Sequence, residues 1–254
     1  MPIAITRAVS PAMNRCELTN IERVAIDLEL AGEQHRQYEQ ALESLGCKVI
    51  SLPAEPDLPD SVFVEDTALV LDECAVITRP GAESRRPESE SIARALAPYR
   101  QVFHVQAPGV VDGGDILRLG KAIYVGLTTR SNESAIRQMW EFLAPLGYTV
   151  KGVEVSGCLH LKSAVTQVAA DILLINPQWV DKSDFPGMRF IDVHPEEPHA
   201  ANAVWLDKGV IYPSAFPKTR QRLEAAGIAL VSVDASEVAK AEGAVTCCSL
   251  IFAG

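Results

Sequence analysis

Three residues far apart in this chain have the side chains of a covalent hydrolase. Cys247 lies in the run T-C-C-S-L-I-F, His160 in L-H-L-K-S, and Asp112 opens D-G-G-D. A thiolate is a strong nucleophile, and an imidazolium beside it lowers the thiol pKa. A carboxylate hydrogen-bonded to the histidine would fix its tautomer and raise its basicity. If the fold brings them together, the three could act as nucleophile, acid/base and orienting group.

A regular spacing explains how such distant residues could meet. One polar residue begins each of five similar segments, and successive members are 52, 48, 42 and 45 residues apart: Asp60, Asp112, His160, Asn202 and Cys247. Repeats of about this length are typical of radial or stacked architectures. The pattern predicts five units around one axis, with their first residues facing one small cavity.

Each unit is predicted to contain two strands, a helix and a third strand. The second half is clearest at 40–52, 141–155 and 221–233, where an amphipathic helix ends in a glycine and a β-rich strand follows. The glycine suits the left-handed position just after a helix. A fourth copy, at 91–105, lacks the glycine.

The unit that begins at Cys247 must be completed from the N-terminus, by strand 2–8, a helical stretch around 20–45 and strand 47–52. The predicted fold class is therefore α/β, a five-bladed α/β propeller of ββαβ units with pseudo-five-fold symmetry, in a single catalytic domain over 1–254. A doubly wound sheet is the alternative, because helices and strands alternate in it too. It does not explain why polar residues recur at the starts of the units.

Composition and charge exclude several classes of protein. A net charge of −10 argues against a nucleic-acid partner and is mildly compatible with a cationic substrate. No run of about 20 apolar residues is present, and the first residues lack the apolar stretch of a signal peptide. We therefore expect a cytoplasmic protein with no membrane association. The six scattered cysteines are expected to be reduced thiols, since a chain of this length without a signal peptide seldom has disulfides. None of them has structural-zinc spacing, which argues against a structural metal site.

Charged residues near the predicted cavity could hold the two ends of an amino acid. Asp60, Glu65 and Asp66 gather in P-D-S-V-F-V-E-D, and carboxylates bind a planar guanidinium in bidentate fashion. Arg85 and Arg130 lie in matching loops after strands, where they could hold an α-carboxylate at the mouth of the ring. The pocket would accept an amino acid that carries a guanidinium.

Six motifs follow one another along nearly the whole chain: L-P-D-S-V-F-V-E-D, I-T-R-P-G-A-E-S-R-R, D-G-G-D-I-L, L-H-L-K-S, A-A-N and T-C-C-S-L. Through this highly specific set the chain resembles the dimethylarginine dimethylaminohydrolases of the guanidine-modifying (pentein) superfamily, whose fold is a five-unit α/β propeller. The resemblance implies hydrolysis of Nω-methylated arginines, dimethylarginine or monomethylarginine, at the guanidinium carbon. The products would be citrulline and an alkylamine, formed through a covalent thiouronium-type intermediate.

The resemblance also implies a role for each site residue. Cys247 would be the nucleophile, His160 the acid/base and Asp112 the orienting carboxylate, where some bacterial relatives use Glu. The implied substrate ligands are Asp60, Glu65 and Asp66 for the guanidinium and α-amino groups, Arg85 and Arg130 for the α-carboxylate, and the backbone carbonyl of Leu18, in a flap, for the α-amino group. Ala241 stands where the family uses a branched aliphatic backbone contact, and Glu242 where it has Asp.

No metal or organic cofactor is implied for this reaction. Cys247 and His160 could nevertheless bind Zn²⁺ as an inhibitor. The expected partner is the small-molecule substrate, a methylated arginine. The sequence leaves open whether the chain forms a homodimer and whether the segment 10–20 closes as a lid.

Three other functions compete with this interpretation. An arginine deiminase-like hydrolase of arginine or another Nω-substituted arginine would use the same residues, but arginine deiminases are longer and carry a helical insert that is absent here. A non-catalytic amino-acid-binding module would lack the Cys, the His or the carboxylate, and all three are present. A redox or metal switch at Cys247 and Cys248 would make both thiols equally important.

Overall fold

Fifteen strands and six α-helices make up the regular structure in a computed structural model that describes all 254 residues. The strands are β1 (Pro2–Arg7), β2 (Lys48–Leu52), β3 (Ala68–Val70), β4 (Cys74–Ile77), β5 (Gln101–His104), β6 (Ile116–Leu119), β7 (Ala122–Leu127), β8 (Thr149–Glu154), β9 (Val165–Ala169), β10 (Ile172–Ile175), β11 (Arg189–Asp192), β12 (Val204–Leu206), β13 (Gly209–Pro213), β14 (Leu230–Val233) and β15 (Leu250–Ala253). The helices are α1 (Leu28–Ser44), α2 (Glu88–Leu96), α3 (Glu133–Leu143), α4 (Leu161–Ala164), α5 (Pro217–Ala225) and α6 (Ser236–Ala239).

The strands form five separate three-stranded sheets: β3-β4-β5, β6-β7-β8, β9-β10-β11, β12-β13-β14 and β15-β1-β2. In every sheet the first strand is antiparallel to the second, and the second is parallel to the third. A parallel pair needs a crossover connection, and in four of the five units an α-helix lies in that connection. The repeated topology confirms the predicted α/β propeller, and the doubly wound alternative is wrong.

The fifth sheet joins the two ends of the chain. β15 pairs with β1 from Pro2 opposite Ala253 to Ile5 opposite Leu250, and β1 then pairs in parallel with β2. This pairing confirms that the unit beginning at Cys247 is completed from the N-terminus. It also brings Cys247 to the axis beside the other four units.

Three predicted helix ends have the expected backbone. Gly46, Gly147 and Gly227 have φ values of +96°, +81° and +81°. A residue with a Cβ would be strained at these angles, whereas glycine turns the chain from helix to strand at little cost. The glycines therefore set the angle between the helix of a unit and the third strand of the same unit.

Two helix predictions differ from the structure. α1 begins only at Leu28, because Asp27 caps it by accepting hydrogen bonds from the backbone N–H groups of Glu29 and Leu30. The segment before this cap is loop, where helix was expected from about residue 20. The third unit has no α-helix between β10 and β11, only a 3-10 turn at Lys182–Asp184.

Five hydrophobic clusters fill the interfaces between neighbouring units, one cluster to each interface. The largest, with 21 buried residues, lies between the terminal unit and the unit of β12 to β14. Burial of this apolar surface drives the units together at about 25 cal/mol for each Å² removed from water. Because the apolar contacts lie between units, the axis itself is left to polar residues.

The helices are short and amphipathic. The longest, α1, has 17 residues, and no helix has the length and apolar character needed to cross a bilayer.

Candidate active site

Tight turns bring the predicted catalytic residues to the axis. Asp66 lies in the 3-10 turn Val64–Thr67, Asp112 precedes the turn Gly113–Asp115, His160 is the N-cap of α4, and Cys247 lies in the turn Thr246–Cys248. The turn that holds Asp66 packs against the turns that follow Asp112 and hold Cys247. These contacts explain how residues of four different units meet at one place.

One small cavity contains most of the predicted site. Its lining residues are Glu17, Asp60, Phe63, Asp66, Arg85, Arg130, Leu159, His160, Ala241, Glu242, Gly243 and Cys247. Asp112 is fully buried and reaches the site through its contact with His160. Asn202, another of the five unit-starting residues, does not line this cavity.

The two glycines of D-G-G-D allow a very close backbone approach. A Cβ at Gly113 would lie 1.9 Å from the carbonyl oxygen of Glu65, and one at Gly114 would lie 2.6 Å from Nδ1 of His160. Real side chains are not found at such distances, so this corner of the site requires glycine. The spacing of D-G-G-D therefore reflects packing of the turn against Asp66 and His160.

Asp112 holds His160 in place. Its Oδ2 lies 3.0 Å from Nε2 of His160, while its Oδ1 accepts a hydrogen bond of 2.9 Å from the backbone N–H of Gly81. The aspartate is thus long enough to reach the histidine without the extra methylene of a glutamate.

Three carboxylates raise the pKa of His160 to about 9. Burial acts in the opposite direction, but it is outweighed by the charge of Asp66, by the hydrogen bond and charge of Asp112, and by the charge of Asp115. At neutral pH His160 is therefore an imidazolium, able to donate a proton.

Cys247 is a neutral thiol at rest. Burial, together with the negative charges of Glu65 and Asp66, raises the pKa of Cys247 to about 12. Its Sγ accepts one hydrogen bond of 3.4 Å from the backbone N–H of Ala244. The sequence predicted a thiol pKa lowered by the imidazolium, and the resting site differs because burial, together with the charges of Glu65 and Asp66, raises the pKa instead.

Arg85 lies deeper than the sequence suggested. It is only 4% exposed, and its guanidinium pairs with Asp66 at 2.6 Å and with Glu88 at 2.8 Å. Burial alone would raise the pKa of Asp66. The positive charges of Arg85 and His160 outweigh this effect and lower the pKa to about 2. Arg85 lines the cavity, but its guanidinium belongs to an internal ion-pair network and does not lie at the mouth of the five-unit ring.

Arg130 lies nearer the opening. Its Nη1 is 3.7 Å from Oδ2 of Asp112, and its Nη2 donates to the hydroxyl of Thr19 at 2.9 Å. The two predicted carboxylate-binding arginines therefore line one cavity without being equivalent, since one is internal and the other faces the flap.

The carboxylate of Glu65 points away from this cavity. Its Oε1 pairs with the ammonium group of Lys162, and its Oε2 accepts a hydrogen bond of 2.8 Å from the hydroxyl of Thr246. Burial raises the pKa of Glu65, against the opposing charge of Lys162. Both oxygens thus have partners inside the protein, and the binding of substrate by Glu65 stays a prediction.

The segment around Leu18 lies over the cavity and is held there by site residues. The backbone N–H of Glu17 donates to Asp60 at 3.1 Å, and Glu242 accepts from the N–H groups of Thr19 and Asn20 at 2.5 and 2.7 Å. Leu18 is half-buried against the largest hydrophobic cluster. Glu242 has φ +56°, a left-handed angle that is uncommon for a residue with a side chain.

Two buried carboxylates that support the site were missed in the sequence. Asp115, the second aspartate of D-G-G-D, accepts hydrogen bonds from the backbone N–H of Leu161 and from the hydroxyls of Thr128 and Ser131. Burial raises the pKa of Asp115 to about 6. Glu88 pairs with Arg85, and only its position three residues further along the chain hinted at this contact.

Asp66, Asp112 and His160 offer the one group of potential metal ligands, with ligand atoms within 4.8 Å of one another. Arg85 already neutralises Asp66, and Asp112 is engaged by Gly81 and His160. This donor set is better matched to binding an organic cation than to a metal centre. Inhibitory zinc at Cys247 and His160 stays a prediction.

Comparisons with known proteins agree on one family. The family model described as "N,N dimethylarginine dimethylhydrolase, eukaryotic" matches residues 12–184. An N(G),N(G)-dimethylarginine dimethylaminohydrolase of Pseudomonas aeruginosa is 38% identical over 89% of this chain and 90% of its own length. This chain belongs to the dimethylarginine dimethylaminohydrolase family.

A second family member and a solved structure support the assignment. The dimethylarginine dimethylaminohydrolase of Streptomyces coelicolor is 39% identical over 97% of this chain and 95% of its own length. The structure of a cysteine-to-serine variant of the Pseudomonas aeruginosa protein, complexed with citrulline, matches with a TM-score of 0.93 at 36% identity and covers 98% of both chains. The five-unit fold and the recognition made from the motifs are thereby confirmed.

Proposed function

We propose that this chain hydrolyses Nω-methylated arginines to citrulline and methylamine or dimethylamine. The observation that carries the proposal is the buried Asp112–His160 pair, which opens on the same cavity as Cys247. Membership of the dimethylarginine dimethylaminohydrolase family, and the citrulline bound to a relative that is 36% identical, support this substrate class.

The lining of the cavity suits the two ends of the substrate. Asp66 is ionised and buried, so it can receive the guanidinium, which brings a positive charge into a region rich in carboxylates. Asp60 already accepts the N–H of Glu17, and with the carbonyl of Leu18 it would take the α-amino group. Arg130, supported by Arg85, would hold the α-carboxylate.

Substrate binding can activate the thiol. A guanidinium placed beside Cys247 adds a positive charge next to the sulfur, and an adjacent opposite charge lowers the pKa of an acid. The thiol then releases its proton to solvent, and the thiolate attacks the guanidinium carbon. The nucleophile is thus formed when its substrate is present.

His160 moves the protons of the two chemical steps. As an imidazolium it donates a proton to the departing amine when the C–N bond breaks, which leaves a thiouronium on Cys247 and a neutral imidazole. The imidazole then takes a proton from water as the water attacks the same carbon. Collapse of that adduct breaks the C–S bond, releases citrulline and restores the thiol.

This mechanism predicts that Cys247 reacts faster with a cationic reagent than with a neutral one of the same size. At pH 7 we expect 2-chloroacetamidine to alkylate Cys247 at least about 10-fold faster than 2-chloroacetamide, because a neighbouring unit charge is worth a few kcal/mol to the thiolate. The rates are measured by loss of activity and by mass spectrometry of the peptide that contains Cys247. Equal rates at pH 7 would show that the cation does not activate the thiol.

The function itself is tested by citrulline release from asymmetric dimethylarginine, monomethylarginine and arginine in parallel, with Cys247→Ser as the blank. We expect turnover of both methylated substrates and little of arginine. Turnover of arginine alone would favour the deiminase-like alternative with the same residues. No turnover of any of them would favour the amino-acid-binding module.

Three expectations from the sequence remain proposals about how the protein works. We propose that residues 1–254 act as a single catalytic domain, that the substrate is the only partner needed, without nucleic acid, and that the protein works in the cytoplasm. Size-exclusion chromatography with light scattering would decide whether it forms a homodimer.

A further inference from the structure

Four residues close a hydrogen-bonded ring directly beneath the candidate active site. The ammonium group of Lys162 pairs with Glu65, which accepts from the hydroxyl of Thr246 at 2.8 Å. That hydroxyl accepts in turn from Nδ2 of Asn202 at 2.9 Å, and the same amide nitrogen donates to the backbone carbonyl of Lys162 at 3.0 Å. A fifth contact, from the N–H of Thr246 to Oδ1 of Asn202 at 3.0 Å, fixes the turn itself.

The ring spans four of the five units, and three of its members are next or nearly next to site residues. Glu65 precedes Asp66, Thr246 precedes Cys247, and Lys162 follows His160 by two residues. Asn202 contributes no atom to the cavity, yet it is bonded to both Lys162 and Thr246. The nucleophile, the acid/base and the ionised carboxylate are therefore attached to one rigid frame.

Three members of the ring line a second cavity, which shares no lining residue with the active-site cavity. That second cavity, of about 270 Å³, is lined by Glu65, Lys162 and Thr246 and by residues of the first strands of four units. Glu65, Asn202 and Thr246 are each less than 10% exposed. Buried polar groups hold their geometry tightly when every member has a partner, as is the case here.

We propose that Glu65, Lys162, Asn202 and Thr246 are positioning residues that align Cys247 with His160 and Asp66. This inference rests on the proposed function of the site. Thr246 is the central member, because its hydroxyl joins Glu65 to Asn202 one residue before the nucleophile. A misplacement of the reacting atoms by about 1 Å can cost 10²-fold in rate.

The test is Thr246→Val, which removes the hydroxyl and keeps the shape. We expect kcat to fall by about 10- to 100-fold while KM stays within about threefold, because the groups that contact substrate are unchanged. Alkylation of Cys247 by 2-chloroacetamidine should slow in parallel. Thr246→Ser keeps the hydroxyl and should restore both rates to within about threefold of the wild type.

Thr219→Val is the matched control. Thr219 is also buried, and its hydroxyl accepts a hydrogen bond of 2.9 Å from the N–H of His194, which is not a member of the ring. This variant should lose stability in a thermal melt but keep kcat and the alkylation rate. If Thr246→Val does not fold, Asn202→Ala, which removes the partner of Thr246, carries the same test.

Unchanged kcat and alkylation in Thr246→Val would overturn the inference, as would a rise in KM at constant kcat, which would make Glu65 and Thr246 substrate-binding residues. Failure of the proposed function is distinguishable. In that case the wild type releases no citrulline from methylated arginines. The alkylation rate of Cys247 in the wild type and in Thr246→Val would still show whether the ring positions the thiol.

Discussion

Replacing Cys247 with serine is expected to lower citrulline release by at least about 10⁴-fold, because loss of an enzyme's nucleophile typically costs this much or more. A serine hydroxyl ionises far less readily than a thiol, and the negative charge of Glu65 and Asp66 opposes ionisation further. The two side chains are similar in size, so we expect the fold to survive. Acid-quenched wild-type enzyme should carry a thiouronium-type adduct on the Cys247 peptide, which mass spectrometry detects and the variant lacks.

Cys248→Ser is the matched control for this prediction. Neighbouring residues in the turn face different surroundings: Cys248 is buried near Tyr38 and Val245, away from the cavity that Cys247 lines. Its Sγ lies 3.7 Å from the carbonyl of Ala244, where a serine hydroxyl could also donate. We expect turnover within about threefold of the wild type, since the substitution leaves the site untouched. Equal loss in both variants would favour a redox or metal switch over a hydrolase.

Replacing Asp112 with asparagine is expected to reduce kcat/KM by about 10³- to 10⁴-fold, the cost measured for orienting carboxylates of this kind. The backbone N–H of Gly81 donates to Oδ1, so the new amide nitrogen would face Nε2 of His160. Two donors cannot share that contact, and His160 would have to leave Nε2 unprotonated. The imidazolium that donates to the leaving amine would be lost.

The pH profile of kcat/KM gives this prediction a second readout. In the wild type the ionised thiol increases with pH, while the imidazolium is lost above its pKa of about 9. The fraction of enzyme with both a thiolate and an imidazolium therefore rises up to about pH 9 and is constant above it, and kcat/KM should follow this fraction. Asp112 raises the pKa of His160, so in Asp112→Asn the profile should level at a lower pH and a lower rate.

Glu197→Gln controls for the loss of a buried carboxylate elsewhere. Glu197 accepts hydrogen bonds from the N–H groups of Lys218 and Thr219 at 2.9 and 2.7 Å, outside the site. Its substitution should lower the melting temperature and leave the pH profile unchanged. If Asp112→Asn kept activity within tenfold of the wild type and levelled at the same pH, Asp112 would not be the group that orients His160.

Much of the fold could be predicted because it repeats. The spacing of Asp60, Asp112, His160, Asn202 and Cys247 predicted five units, and the glycines at 46, 147 and 227 marked the ends of three helices. Such signals are local, since each depends on residue types within one unit. The third unit, which lacks an α-helix, was less predictable because its connection has no amphipathic period.

The site was only partly predictable. Glu65 and Asp66 are adjacent, and their residue types are equally suited to a guanidinium, yet the turn directs one to Lys162 and the other to Arg85. The contact between Glu242 and Thr19 joins residues 223 positions apart, so no local pattern could reveal it. The same holds for the ring through Asn202, whose partners come from two other units.

By itself, the sequence determined which residues can do the chemistry and that five similar units bring them to one axis, because residue type and spacing are properties of the chain. Tertiary structure alone decided which side of the axis each side chain faces and how it is charged. Burial, with nearby negative charge, keeps Cys247 a neutral thiol, whereas nearby carboxylates outweigh burial and make His160 an imidazolium. Such effects depend on distances between units, and these distances exist only once the ring has closed.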